Sequence, residues 1–385
     1  LTDRVVAGFA RASVLIIGCI GATACDVAYV ARAAVVESRL LWNRQPISVV
    51  VERPSIAPDV KEKLETVLAV REFARDRLGL DVGGAYDTVT EVDQSAVVWV
   101  VIAAPQDALS PYTWWFPIVG EVPYRGYFNE SGARAEAASL ESSGYDTLVR
   151  PVVAFSSLGW FNDPLFSNLL ELDRVELAGV IIHELFHRTF FLPGEAMFNE
   201  SAATYVGSRG AADFFAATVG AASPEANQAH EIAQSEIEFS KFLLQQKARL
   251  LTIYMSGLPP DEIRRRRETA FALIKKEWAG LAPSLKGLSR FDLGKVEINN
   301  AVLVSYLLYF EDLPNFAALD RANRNGLRAT ISQIIELAKS NRYDPLYAVW
   351  EASLKAPPVA PPAQAGARSA AAITVDSSPS NPPKK

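Results

Sequence analysis

Residues 183 to 187 read His-Glu-Leu-Phe-His, a pentapeptide that holds two of the three histidines in this 385-residue chain. On a helix, positions i and i+4 project from one face, so both imidazoles reach a single point. Two neutral imidazoles suit a zinc ion. Glu184, beside them but off the ligand line, can take a proton from a water that the metal activates. The chemistry this spacing serves is metal-assisted hydrolysis with one zinc ion. It requires residues 183–187 to be helical and buried.

A catalytic zinc takes three protein ligands and keeps a fourth position open. The metzincin pattern would place glycine at 190 and histidine at 193; Phe190 and Pro193 stand there and exclude it. Glu200 lies thirteen residues beyond His187 and opens a second helix-like stretch, with small Ala202 and Ala203 for close packing. That arrangement resembles the glutamate-liganded gluzincins, with a shorter separation, so the loop between must be tight. Glu195 is the rival ligand, placed beside Pro193-Gly194 in a turn.

These residues need elements to position them. Asp173 with Glu176 three residues later predicts a capping box. Val180, Ile181, Ile182, Leu185 and Phe186 make the following helix apolar nearly all round, as for a helix through the interior, and Leu192-Pro193-Gly194 ends it. Upstream, 58–78 reads as an amphipathic helix, 96–104 as a buried strand and 152–155 as a short strand. Residues 111–128 are aromatic and broken by proline and glycine, an irregular ribbon. From Asp173 onward the pattern is mostly helical, with a long stretch over 225–256. Strands before helices predict an α+β fold, mostly helical, with a small sheet preceding the histidine helix. The run Arg264 to Arg267 reads as a solvated helix face.

Composition bounds the rest. An apolar fraction of 49% and a charged fraction of 21% are those of a globular protein, and a net charge of −6 argues against a nucleic-acid surface. Both cysteines, Cys19 and Cys25, fall in the N-terminal apolar segment, which leaves no thiolate metal site in the body of the chain. Arg4 and Arg11, the apolar stretch 12–24 and then Cys25 have the order of an export signal. Ala22-Thr23-Ala24-Cys25 resembles a bacterial lipobox, Cys19 being a second candidate. An uncleaved anchor or a plain signal peptide is the alternative. The expected organisation is a signal or anchor segment over 1–25, one metallopeptidase domain over 26–354, and a Pro/Ala/Ser-rich disordered tail over 355–385.

Several blocks together resemble the bacterial family of predicted aminopeptidases, membrane-associated zinc peptidases. They are Tyr124-Arg125-Gly126-Tyr127-Phe128, the segment Ala154 to Pro164, the histidine helix, Phe198-Asn199-Glu200-Ser201, and Asn299-Asn300-Ala301. The resemblance implies a zincin-like domain, a peptide substrate, a lipoprotein start at Cys25 and a place in the cell envelope facing the periplasm. Members often carry a cysteine pair where this chain has Trp115 and Glu121, which removes that disulfide here.

The resulting expectation is peptide hydrolysis with His183, His187 and Glu200 on zinc and Glu184 as general base. An oxyanion also needs a donor, and Tyr124, Arg125 and Tyr127 are candidates, with His230 as a further one. Trp160, Phe161 and Asp163 are candidates for the cleft wall. A membrane-anchored binding or scaffold protein with a structural zinc is the competing reading. It would need a fourth protein ligand, for which His230 is the one spare histidine.

Overall fold

The computed structural model describes residues 43–92, 98–116, 120–127, 129–152, 162–288, 292–323 and 325–356. Cys19 and Cys25, Trp160 and Phe161, and the tail from 357 onward lie outside the described residues. In chain order the elements are β1 (Gln45–Pro46), α1 (Ile47–Val50), α2 (Pro58–Phe73), β2 (Thr88–Thr90), β3 (Val98–Pro105), β4 (Trp114–Phe116), β5 (Gly120–Val122) and β6 (Arg125–Tyr127). Then follow α3 (Glu130–Ser142), β7 (Tyr145–Val152), β8 (Leu165–Phe166), α4 (Arg174–Thr189), α5 (Ala196–Thr218), α6 (Pro224–Tyr254) and α7 (Pro260–Leu281). The last four are α8 (Asn300–Phe310), α9 (Leu313–Ala322), α10 (Leu327–Ser340) and α11 (Pro345–Ser353). The fold is α+β and mostly helical, with the strands concentrated before α4.

Three strands in the order β6-β3-β7, all antiparallel, form one sheet. Side chains alternate across a strand, and here both faces are covered. Val101 and Ala103 pack with Ala133, Ala137 and Leu140 of α3, whereas Val100, Ile102 and Ala104 pack with Ala301 and Val304 of α8. A strand over Tyr145–Val152 pairs eight residues with β3; of the strand expected over 152–155, residues 153–155 lie outside the described residues. The ribbon 111–128 also holds more regular structure than its prolines suggest. Trp114–Phe116 pairs with Gly120–Val122, which sets Trp115 directly opposite Glu121.

Helix α4 begins as expected: the Asp173 carboxylate accepts from the Val175 and Glu176 amides at 2.9 Å each. Leu177, Ala178, Ile181, Ile182, Leu185 and Phe186 are all fully buried. Helix α5 crosses α4 at two glycines. A Cβ on Gly207 would stand 2.7 Å from the Gly179 carbonyl and 3.1 Å from the His183 Cβ, so only hydrogen fits there. This close approach brings α5 against the histidine-bearing stretch of α4.

The basic run is divided. Arg264, Arg265 and Arg266 pair with Asp261 and Glu262 on the surface. Arg267 is buried, contrary to a wholly solvated face, because the helical period turns it toward the Gln106 carbonyl and Asp146. The Asp146 carboxylate also accepts from the Asn300 amide at 2.9 Å. The Asn300 side chain donates to the Pro105 and Ala108 carbonyls, while Asn299 caps α8 and donates to the Thr147 carbonyl. Asn299 and Asn300 thus fasten the start of α8 to β3 and β7, and the rest of α8 runs on from that anchor.

Candidate metal centre

His183 and His187 lie on one face of α4 with their Nε2 atoms 3.0 Å apart. From α5, Glu200 Oε2 stands 3.4 Å from the first and 3.5 Å from the second. Among the described residues this is the one group of three or more histidine or carboxylate side chains whose ligand atoms converge in this way. Tetrahedral ligands about 2.0–2.1 Å from zinc lie roughly 3.3 Å from one another, so the spacing fits a small dication. The donor set fits as well. Burial pushes the Glu200 carboxyl up, but the His187 and His183 imidazoles facing it hold it well below the usual carboxylate range. It is therefore anionic, as a ligand must be. The His183 side chain keeps 16% of its surface exposed against 3% for His187, so approach to the centre is from the His183 side.

Six residues link α4 to α5, and Asn199 holds this loop closed. Its side chain accepts from the Leu192 amide at 3.0 Å and donates to the Leu192 carbonyl at 2.8 Å. That two-way bond folds the turn back onto α5 one residue before Glu200. Glu195 stands at the N-terminal end of α5, outside the converging group, where partial burial and then Asp344 push its carboxyl up.

Among the described residues, Glu184 Oε2 is buried without a hydrogen-bond partner, as is His187 Nδ1. A desolvated carboxylate oxygen with no donor is costly in a protein interior and is suited to accept a proton from a molecule that enters. Three tyrosines surround this carboxylate. Burial raises Tyr124, Tyr309 and Tyr86 well above the ordinary phenol value, and the Glu184 charge raises each further, so all three are neutral donors. On Tyr124 and Tyr309 the Glu200 charge raises the phenol more than Glu184 does. The Tyr309 ring is stacked on His183, centroids 6.4 Å apart. Tyr86 is buried at φ +55°, a conformation bulky residues rarely adopt and one that concentrates at functional sites. Its amide donates to the Asp163 carbonyl at 2.8 Å, which brings buried Asp163 to this wall.

The structure separates the two members of the Tyr124-Arg125 pair. Tyr124 packs on the α8 face of the sheet and feels both glutamates. Arg125 pairs with Val101 in register, and its guanidinium lies 5.7 Å from the Tyr127 ring, which packs on the α3 face. His230 is exposed on α6. Three groups absent from the sequence expectation take part in the site wall: Tyr86, Tyr309 at the end of the apolar run of α8, and Arg150, whose guanidinium lies 5.9 Å from the Tyr309 ring. The Asn299-Asn300 block is the signal in the sequence that leads to α8, and hence to Tyr309.

A small sheet, an interior histidine helix and a two-histidine, one-glutamate group define a protein with the means to hold a metal beside a carboxylate. The family described as "Putative aminopeptidase" matches residues 28–344, and the chain belongs to it. No curated protein and no solved structure matches the chain.

Proposed function

We propose that this chain is a zinc metallopeptidase of the gluzincin-like His-Glu-x-x-His kind, with His183, His187 and Glu200 as ligands and Glu184 as general base. The observation that carries the reading is the unpartnered, buried Glu184 Oε2 on the same helix as two converging imidazoles. Zinc, when bound, supplies Lewis acidity, bringing water to a pKa of about 7 and polarising a carbonyl. Glu184 accepts the proton of the attacking water and delivers it to the leaving amine. Tyr124 and Tyr309, both neutral, donate to the oxygen on which negative charge develops. Asp163 and Tyr86 form the wall beside Glu184. Residues 26–354 are read as one zincin-like domain, exported and held at the envelope by lipid on Cys25, facing the periplasm.

The test is zinc per chain measured beside peptidase activity for three variants. Glu184→Gln keeps every ligand, so zinc stays bound while hydrolysis falls to the detection limit. Glu200→Ala leaves two neutral imidazoles for a dication, so occupancy itself falls. Glu195→Ala does neither. Loss of zinc in Glu195→Ala with retention in Glu200→Ala would reassign the third ligand, and full activity in Glu184→Gln would end the proposed mechanism.

A further inference from the structure

We propose that Arg150 is a carboxylate anchor in the substrate cleft, so that the site selects short peptides whose free C-terminus lies one or two residues beyond the scissile bond. This rests on the reading of the triad as a hydrolytic centre and adds the substrate class.

Arg150 pairs with Val100 across β3 and β7, which puts it on the sheet face that packs against α8 and Tyr124. Other arginines held against the body of the protein are matched by carboxylates: Arg174 by Glu62 and Glu225, Arg209 by Asp213 and Asp320, Arg249 by Glu277, Arg267 by Asp146. Arg150 has no carboxylate within ion-pair distance among the described residues, and its buried Nε lacks a hydrogen-bond partner. Residues 153–161, which continue β7 in sequence, read Val-Ala-Phe-Ser-Ser-Leu-Gly-Trp-Phe and contain no acid. The cation's neighbours are instead tyrosines: Tyr124, Tyr306 and Tyr309 all feel its charge.

A half-buried guanidinium without a counter-charge is costly, and an arriving anion offsets that cost. The planar fork of arginine matches a carboxylate through two parallel hydrogen bonds. Position sets the length of the ligand. One aromatic ring separates Arg150 from the metal group: Cζ is 5.9 Å from the Tyr309 ring centre, and that ring is 6.4 Å from the His183 ring. Each residue of an extended peptide spans roughly 3.3–3.6 Å. A scissile carbonyl at the triad therefore brings a carboxylate one or two residues further on to Arg150.

The experiment is calorimetric binding of the dipeptide Leu-Ala, as free acid and as C-terminal amide, to zinc-loaded Glu184→Gln protein. The free acid is expected to bind on the order of 10- to 100-fold more tightly, the range of a charge-assisted hydrogen bond. Adding Arg150→Gln should remove that preference, and Arg150→Lys, which keeps the charge without the fork, should retain part of it. Equal binding of acid and amide overturns the proposal, and so does an equal loss for both peptides in Arg150→Gln. Should either Arg150 variant fail to fold, the acid-to-amide comparison in Glu184→Gln alone still decides. An intact acid preference with no hydrolysis by the wild-type zinc-loaded chain would sink the hydrolytic reading and leave the anchor standing.

Discussion

At the scale of single residues, the two neighbours Tyr124 and Arg125 have different fates. A donor that stabilises a developing oxyanion is worth about 100- to 1000-fold in rate. Tyr124→Phe and Tyr309→Phe should each lower turnover toward that extent while zinc per chain stays constant, since neither is a ligand. Arg125→Ala should leave turnover near wild type, because its guanidinium lies with Tyr127 and the α3 side of the sheet. Single-turnover rates with metal analysis check all three, and a strong loss in Arg125→Ala alone would reverse the assignment. The histidine pair was legible in the sequence because helical periodicity alone brings residues 183 and 187 together. Glu200 was legible with one more step, a short loop returning the chain. Arg150 and Tyr309 were not: they meet only because β7 and α8 pack together, 150 and 309 being distant in sequence and each ordinary in its local setting.

At the scale of elements, the position of Glu200 relative to the histidines depends on how closely α5 approaches α4. Gly207→Ala places a methyl 2.7 Å from the Gly179 carbonyl, and neither helix backbone can yield locally. Overpacking of this kind costs about 1–3 kcal/mol. The expected result is a lower melting temperature together with reduced zinc occupancy, although residue 207 touches no ligand atom. Wild-type occupancy would show that the helices adjust without moving Glu200. Helix α9 offers a pH test. Asp312, at its N-terminal end, is pushed up to about 6 by burial first and by Glu311 second, against the opposing pull of Lys247. A carboxyl raised in the folded state binds more protons folded than unfolded between about pH 4 and pH 6. Its contribution is therefore fully present below about pH 4 and lost as pH rises through 6. Asp312→Asn, tolerated at the native φ of +62°, should raise stability at pH 7 by about 1–2 kcal/mol and flatten the slope between pH 4 and 6. Urea unfolding at pH 4.5 and 7 measures both. An unchanged slope would show that Asp312 is not held protonated.

At the scale of the whole chain, the described body and the segments flanking it should separate cleanly in function. No described helix is long and apolar enough to cross a membrane. The largest core joins α2, α4, α5, α6, α8, α9 and α10 through buried residues from Ile47 to Val349. The metal group sits on two of these helices, all three of its members among the described residues. The tail from 357, rich in proline, alanine and serine, has few apolar side chains to offset its own ordering entropy. A chain cut back to residues 43–356 should therefore keep its zinc and its turnover. It should also leave the membrane fraction, because one acyl chain binds only marginally and full acylation at Cys25 is what would hold the native protein there. Expression of both forms in a bacterial host, followed by fractionation, intact mass and zinc per chain, separates the possibilities. Lipid mass on a chain beginning at Cys25 supports the anchor. A membrane-bound form that retains residues 1–24 excludes it in favour of an uncleaved helix. Loss of zinc from the shortened chain would show that a flanking segment packs on the core and completes it.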